Sequence, residues 1–218
     1  MNKRLYKLMD WPAIEAIQYA EEDQPQKILG AHTCGKSTLY QTYLPDATKV
    51  NLVLEDEDKS YPMEMVDDDG FFAALVNQKT DKKYHYIVTD KAGKSSLYYD
   101  PYQYEVSLTD DEINKLNSGL HYRAYDVLGA HFTDMDGQEG IVFRVWAPNA
   151  VRVSVVGDFN NWNQTEYPMK RLDNGVWELV LEGEDALWEG CKVKTIVDAN
   201  LTRTEHIPIY ARRVVQDK

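Results

Sequence analysis

Four segments of this 218-residue chain return further along it in the same order. ILGAH at 28–32 comes back as VLGAH at 127–131, 99 residues later. LPDATKVNLV, from Leu44, returns as APNAVRVSVV, from Ala147. YPMEMVDDDGFF, from Tyr61, is echoed by YPMKRLDNGVW, from Tyr167, and KYHYIVTD, from Lys83, by KVKTIVD, from Lys192. Ordered self-similarity is the mark of one folding unit used twice. The chain therefore reads as two copies of a unit of roughly 90 to 100 residues, an ordinary size for a small domain.

Each copy is written in short strands. TLYQTYL, KVNLVLE, FFAALV and KYHYIVTD in the first copy, and GIVFRVWA, RVSVVGD, VWELVLE and KVKTIVD in the second, are rich in Val, Leu, Tyr and Thr. In RVSVVGD, alternation sends Val153 and Val155 to one face and Arg152 and Ser154 to the other. The clusters LPDA, DDDG, APNA and LDNG supply turns between strands. No helical pattern lies between the strands, so parallel crossover units are disfavoured, and the expected fold is all-β: two tandem immunoglobulin-like antiparallel sandwiches. Two helices stand outside them. Asp10 before Trp11-Pro12 opens one that runs through Ala20. Thr109 and Glu112 have capping-box spacing and Gly119 is a stop signal, so LTDDEINKLNSG is a short linking helix. The expected divisions are 1–24, an N-terminal helix; 25–107, a divergent first module; 108–121, the linking helix; and 122–218, a second module with a C-terminal tail.

Composition narrows the function. Acidic residues outnumber basic ones by 36 to 24, a net charge of −12 that repels phosphate backbones, so nucleic acid is not an expected partner. No run approaches the ~18 apolar residues that span a bilayer, and MNKRLYKLMDWP has no apolar signal core. Neither a membrane partner nor secretion is expected, and the expected location is cytoplasmic. Cys34 and Cys191 form no C-x-x-C pair, and the five histidines show no metal-ligand spacing. No metal and no cofactor is expected. The acidic runs EDED at 55–58 and DDD at 67–69 read as solvated turns, and no nucleophile elbow or phosphate loop is present.

The stretch VVGDFNNWN, residues 155–163, is unusual because it places Phe159 and Trp162 in a turn. Phe159 reads as a plug beneath the turn. Trp162 has three readings: a surface for stacking a ligand, a contact for another domain, or a local structural ring. Asn160, Asn161 and Asn163 suit hydrogen bonding to hydroxyls, and they are also the residue tight turns prefer. Trp146 and Trp177, each within a strand, read as core or interface packing.

LGAH, FRVWAPNAVRVSVVGDFNNWN, the YPM turn and GVWEL together resemble the starch- and glycogen-binding module of branching and debranching enzymes such as isoamylases. That module also occurs in the β-subunit of the AMP-activated kinase. The first copy, with YYDPYQY, is similar to the extra amino-terminal domain of bacterial 1,4-alpha-glucan branching enzymes. The resemblance covers nearly all of residues 10–198, and HIPIYARRVVQDK resembles a segment leading toward the catalytic barrel. It implies a non-catalytic region that binds or orients α-1,4-glucan (glycogen, amylopectin or maltooligosaccharide) for a catalytic (β/α) barrel. That barrel would carry an Asp nucleophile, a Glu acid/base and a second Asp, and would move an α-1,4 segment to a 6-hydroxyl. The chain itself is then expected to catalyse nothing and to be the amino-terminal piece of a longer enzyme. The alternatives are sandwiches that only pack on the barrel, or a free-standing glucan-binding adaptor. By position in the kinase module, Trp162 and Lys194 match the first tryptophan and the lysine that hold glucan. The second tryptophan has no counterpart, since DANLTRT follows that strand, and the first copy has LVLEDEDKS in place of the GDFNNW turn.

Overall fold

The structure, a computed structural model, describes residues 3–19, 21–22, 24–55, 59–80, 82–105, 108–135, 138–172, 175–182, 188, 190–199 and 202–216. The chain divides into two compact units, Met1–Gln103 and Tyr104–Lys218.

The first unit opens with two short helices, α1 (Lys3–Tyr6) and α2 (Trp11–Gln18). Asp10 caps α2 by accepting the Ala13 N–H at 3.3 Å. After a 3-10 turn at Pro25–Lys27 come β1 (Gly30–Cys34), β2 (Ser37–Tyr43), β3 (Ala47–Leu54), β4 (Ser60–Pro62), β5 (Glu64–Asp67), β6 (Phe71–Val76), β7 (Tyr84–Asp90) and β8 (Ser95–Tyr98). They form two antiparallel four-stranded sheets, β1-β2-β6-β5 and β4-β3-β7-β8. Because side chains alternate along a strand, β6 serves two cores. Phe72, Ala74 and Val76 join Tyr40, Val50, Leu52, Leu54 and Tyr86 in one cluster. Phe71 and Ala73 join Leu39, Val66, Ile14, Ile17, Met9 and Leu5, so the N-terminal helices cover the outer face of the first sheet.

The second unit repeats this plan. α3 (Asp110–Asn117) precedes a 3-10 turn at Ala124–Asp126 and β9 (Gly129–Met135), β10 (Gln138–Trp146), β11 (Arg152–Gly157), β12 (Lys170–Arg171), β13 (Val176–Glu182), β14 (Val193–Ala199) and β15 (Thr202–His206). The sheets are β12-β13-β10-β9 and β11-β14-β15, with Pro168 bridging to Ser154 where β4 lies in the first unit. Thr109 and Glu112 form the full capping box. Gly119 donates to the Leu116 carbonyl and Leu120 to that of Lys115, closing a Schellman motif. Ile113 packs with Leu108, Val127, Leu172 and Val176 on the outer face of β13. Phe143, Val153, Val155, Trp177, Leu179 and Leu181 fill the inner core, and Arg152 and Ser154 take the other face of β11, as the alternation predicts. Of the two strand tryptophans, Trp177 is buried and donates to the Ala147 carbonyl at 3.0 Å, whereas Trp146 is exposed.

The repeated motifs do the same work in both units. In each LGAH the glycine has positive φ (97° at Gly30, 95° at Gly129). The histidine Nε2 donates back to the leucine carbonyl, His32 to Leu29 at 3.0 Å and His131 to Leu128 at 2.9 Å. The turn glycines Gly70 and Gly175 face the turn prolines. A Cβ on Gly70 would sit 2.5 Å from Pro45 Cα, and one on Gly175 would sit 2.2 Å from Pro148 Cα. The antiparallel sandwich expectation is met in both units.

Gly175→Ala meets backbone that cannot retreat, in a left-handed conformation at φ 82°. It should lower the unfolding free energy by at least about 2 kcal/mol in urea titrations. Asp198 gives a second prediction. Burial pushes its carboxyl up, but the bonds from Arg203 and Arg152 outweigh burial and hold it below the usual carboxylate range. A carboxylate more acidic when folded stabilises the fold above its unfolded pKa, and that contribution is lost as pH falls through the folded value. The acid limb of a stability–pH curve should therefore flatten in Asp198→Asn.

Candidate functional site

β11 ends at Gly157 and the chain enters a single 3-10 turn, Asp158–Asn160. Gly157 is required for space: its φ of 178° is extended backbone, but a Cβ would lie 2.3 Å from the Lys192 carbonyl oxygen. Asn160 braces the loop from inside. It is buried; its Oδ1 accepts the Gly157 N–H at 3.0 Å and its Nδ2 donates to the carbonyls of Asn163 at 2.8 Å and Val155 at 3.4 Å. Main-chain bonds from Trp162 to Gly157 (2.9 Å) and from Asn163 to Asn160 (3.0 Å) close the turn. Asn161 and Trp162 are then both left-handed, with φ 51° and 60°. For a tryptophan that conformation costs about 1–2 kcal/mol.

This backbone leaves the Trp162 side chain at the surface, 40% exposed. Its Nε1 donates to Asp158 Oδ1 at 3.2 Å, and Asp158 Oδ2 accepts the Lys192 N–H at 3.0 Å. One carboxylate thus ties the indole edge to the start of β14. Lys194, two residues further on, places its ammonium 5.7 Å from the centre of the Trp162 ring, a cation–π contact, and pairs with Glu205 on β15 at 3.0 Å. Phe159 turns inward against Tyr167, with ring centres 5.3 Å apart. It is packed against the inner core, as a plug beneath the turn should be.

Trp162 and Lys194 are thus neighbours, and Asn161 is exposed beside them. Asn160 and Asn163 are turned to the loop. Asn163 Oδ1 accepts from Thr165 N at 3.1 Å and Thr165 Oγ1 at 2.9 Å. Its side chain also bonds Glu166, whose carboxyl burial pushes up and that bond pulls partly back. Gln164 accepts from Arg203 Nη1 at 3.1 Å, and Arg203 is itself held by Asp198. Sequence reasoning missed Asp158, the residue that holds the ring. Its signal was an Asx residue at the head of a turn, which reads as turn chemistry and says nothing of a side-chain partner. It also missed Trp188, which is 50% exposed on the segment between β13 and β14.

The first unit keeps the frame of this site. Glu55 N–H donates to the Lys83 carbonyl at 2.9 Å, as Asp158 N–H does to that of Lys192 at 3.0 Å. His85 lies opposite Val53 where Lys194 lies opposite Val156. Asp56–Asp58, in the stretch that replaces the FNNW turn, lie outside the described residues. Among the described residues no three His, Cys, Asp or Glu side chains converge to hold a metal, and no helix is long and apolar enough to cross a membrane. Cys34 and Cys191 are both free thiols.

Residues 10–102 match the model of the alpha-1,4-glucan branching enzyme GlgB N-terminal domain. Residues 127–211 match carbohydrate-binding module 48, the isoamylase N-terminal domain. The chain is 37% identical over 174 residues to the 1,4-alpha-glucan branching enzyme GlgB of Nostoc sp., with 77% of this chain and 22% of that protein covered. It is 37% identical over 175 residues to the enzyme of the same name from Thermosynechococcus vestitus, with 78% and 23% covered. It thus spans less than a quarter of the length of these relatives. Among solved structures, it is similar to pullulanase type I from Bacillus subtilis, at 18% identity and a TM-score of 0.32, over 82% of this chain and 24% of that one. With one domain model following the other along the chain, and relatives of one name matching more than three quarters of it, the sequence is that of the amino-terminal, carbohydrate-binding-module region of the 1,4-alpha-glucan branching enzymes.

Proposed function

We propose that this region binds α-1,4-glucan through its second module and orients the chain for the catalytic (β/α) barrel of a cytoplasmic branching enzyme. The observation that carries the reading is Trp162, an indole held at the surface in left-handed backbone with its edge tied to Asp158 and an ammonium at its ring. Backbone strain of this kind persists where the surrounding structure enforces it, and it gathers at ligand sites. The C–H face of a glucose ring covers an aromatic face, and a ring already fixed in place loses little side-chain entropy when it does so. Lys194 and Asn161 then offer donors to sugar hydroxyls at the rim of the ring.

Catalysis belongs elsewhere in the parent protein, as transfer of an α-1,4 segment to a 6-hydroxyl. Retaining and inverting glycoside chemistry needs two carboxyls about 5 to 9.5 Å apart across a bound sugar. The described acidic turn is otherwise engaged: Asp67 Oδ1 accepts from Gln18 Nε2 at 2.6 Å and from Asp69 N–H at 2.9 Å.

Affinity electrophoresis through amylopectin tests the reading. The wild-type chain should be retarded. Trp162→Ala should migrate as in a gel without glucan while its unfolding free energy changes by no more than about 1 kcal/mol, the scale of one exposed hydrogen bond. A wild-type band that is not retarded, or retardation that Trp162→Ala leaves intact, would refute it; the sandwich would then be a purely structural support. Asn160→Ala should behave differently from Trp162→Ala. It strands the buried Gly157 N–H, so it should lose about 1–3 kcal/mol of stability along with its retardation.

A further inference from the structure

Trp188 lies on the connection from β13 to β14, and the topology fixes which end of the second unit that connection occupies. β13 ends at Glu182, opposite Gly140 at the start of β10, and β14 begins at Val193, opposite Gly157 at the end of β11. The two strand ends that flank Trp188 therefore lie at the same end as the Trp162 turn. Trp146, also exposed, closes β10 at the other end, separated from the turn by the length of β11, about 20 Å. One bond within Trp188's segment and two from the residue that follows it link that segment to the turn. Cys191 N–H donates to the Trp188 carbonyl at 3.0 Å, and the next residue, Lys192, exchanges bonds with Asp158 through its N–H (3.0 Å, to Oδ2) and its carbonyl (3.0 Å, from Asp158 N–H). Asp158 is the same carboxylate that holds the Trp162 indole. Tryptophan is among the side chains with most to gain from burial, yet half of this one is in water, on a segment fastened to the residue that presents Trp162.

We propose that Trp188 is a second aromatic platform of the glucan site, stacking a further glucose ring of the chain that Trp162 engages. This rests on the glucan reading given above. A chain bound to two platforms gains from both only when it is long enough to reach them, so the site should prefer polymer to disaccharide.

The 218-residue chain and its variants Trp188→Ala, Trp188→Phe and Trp162→Ala, run through graded amylopectin, provide the test. Trp188→Ala should bind about fivefold or more weaker, a typical loss for an anchoring aromatic. Trp188→Phe, which keeps a flat ring, should stay within about twofold of wild type, and thermal unfolding of both should match wild type. If Trp188→Ala is retarded as wild type while Trp162→Ala is not, the second platform is refuted and the glucan reading stands. If both Trp188 variants lose retardation together with thermal stability, Trp188 is a packing residue and the proposal also fails. If the wild type itself is not retarded, the glucan reading fails and takes this proposal with it.

Discussion

The second unit is organised around a carboxylate that has no access to water. Glu178 lies in the middle of β13 on its outer face, 0% exposed. An ionised group there costs several kcal/mol unless it is paired and hydrogen-bonded. Arg144, its cross-strand neighbour, reaches it at 2.9 Å, and Lys170, its neighbour on the other side, at 3.1 Å. Both cations also donate to main chain: Arg144 to the Val127 carbonyl, and Lys170 to those of Tyr104 and Glu105. These carbonyls lie on either side of α3 in the chain. The ion cluster therefore fastens both ends of the segment that carries α3 across the sheet, leaving Ile113 and Leu108 to complete the apolar part of the contact.

The first unit holds the corresponding main chain with a neutral donor. Gln41 stands where Arg144 does, and its Nε2 donates to the Ile28 carbonyl at 2.7 Å, the counterpart of the Val127 bond. Its cross-strand neighbour is Ala73 in place of Glu178. One position, duplicated, is filled once by a neutral amide over alanine and once by a buried ionic triad. Buried ion pairs are often no more stabilising than such neutral packing, but breaking one leaves an uncompensated charge.

The duplication was legible in the sequence because its matches sit where backbone geometry demands particular residues. LGAH needs a left-handed glycine and a histidine that reaches back three residues, and the Pro–Gly approach tolerates no Cβ. The sequence places the helices outside the sandwiches, and the packing shows that they too follow the duplication. Asp10 and Thr109 cap α2 and α3 at the same 99-residue spacing as ILGAH and VLGAH, and Ile14 and Ile113 are buried at the same step along their helices. Only the apolar positions of the packed face are held in common, Ile14 with Ile113 and Ile17 with Leu116, because any good helix former suits the rest. WPAIEAIQ and DDEINKLN therefore share almost no letters. The ion triad was hidden for another reason: Arg144, Lys170 and Glu178 alternate with core residues on strands, a pattern that reads equally as a solvated face.

The same distinction explains what could be read of the site. Trp162 stood out because an aromatic in a turn conflicts with turn chemistry, and such local conflicts are where functional side chains gather. The roles of the asparagines could not be read, since a turn-bracing amide and a sugar-facing amide are the same letters; only burial separates Asn160 from Asn161. What holds the Trp162 turn in place is inherited from the shared frame. The main-chain bond that joins β11's end to β14's start is present in both units, at Asp158–Lys192 and at Glu55–Lys83. The same frame carries a strained, exposed indole in one copy and a sequence without any tryptophan in the other. The frame recurs while the turn differs between the copies, which is what the proposed glucan site of the second unit requires.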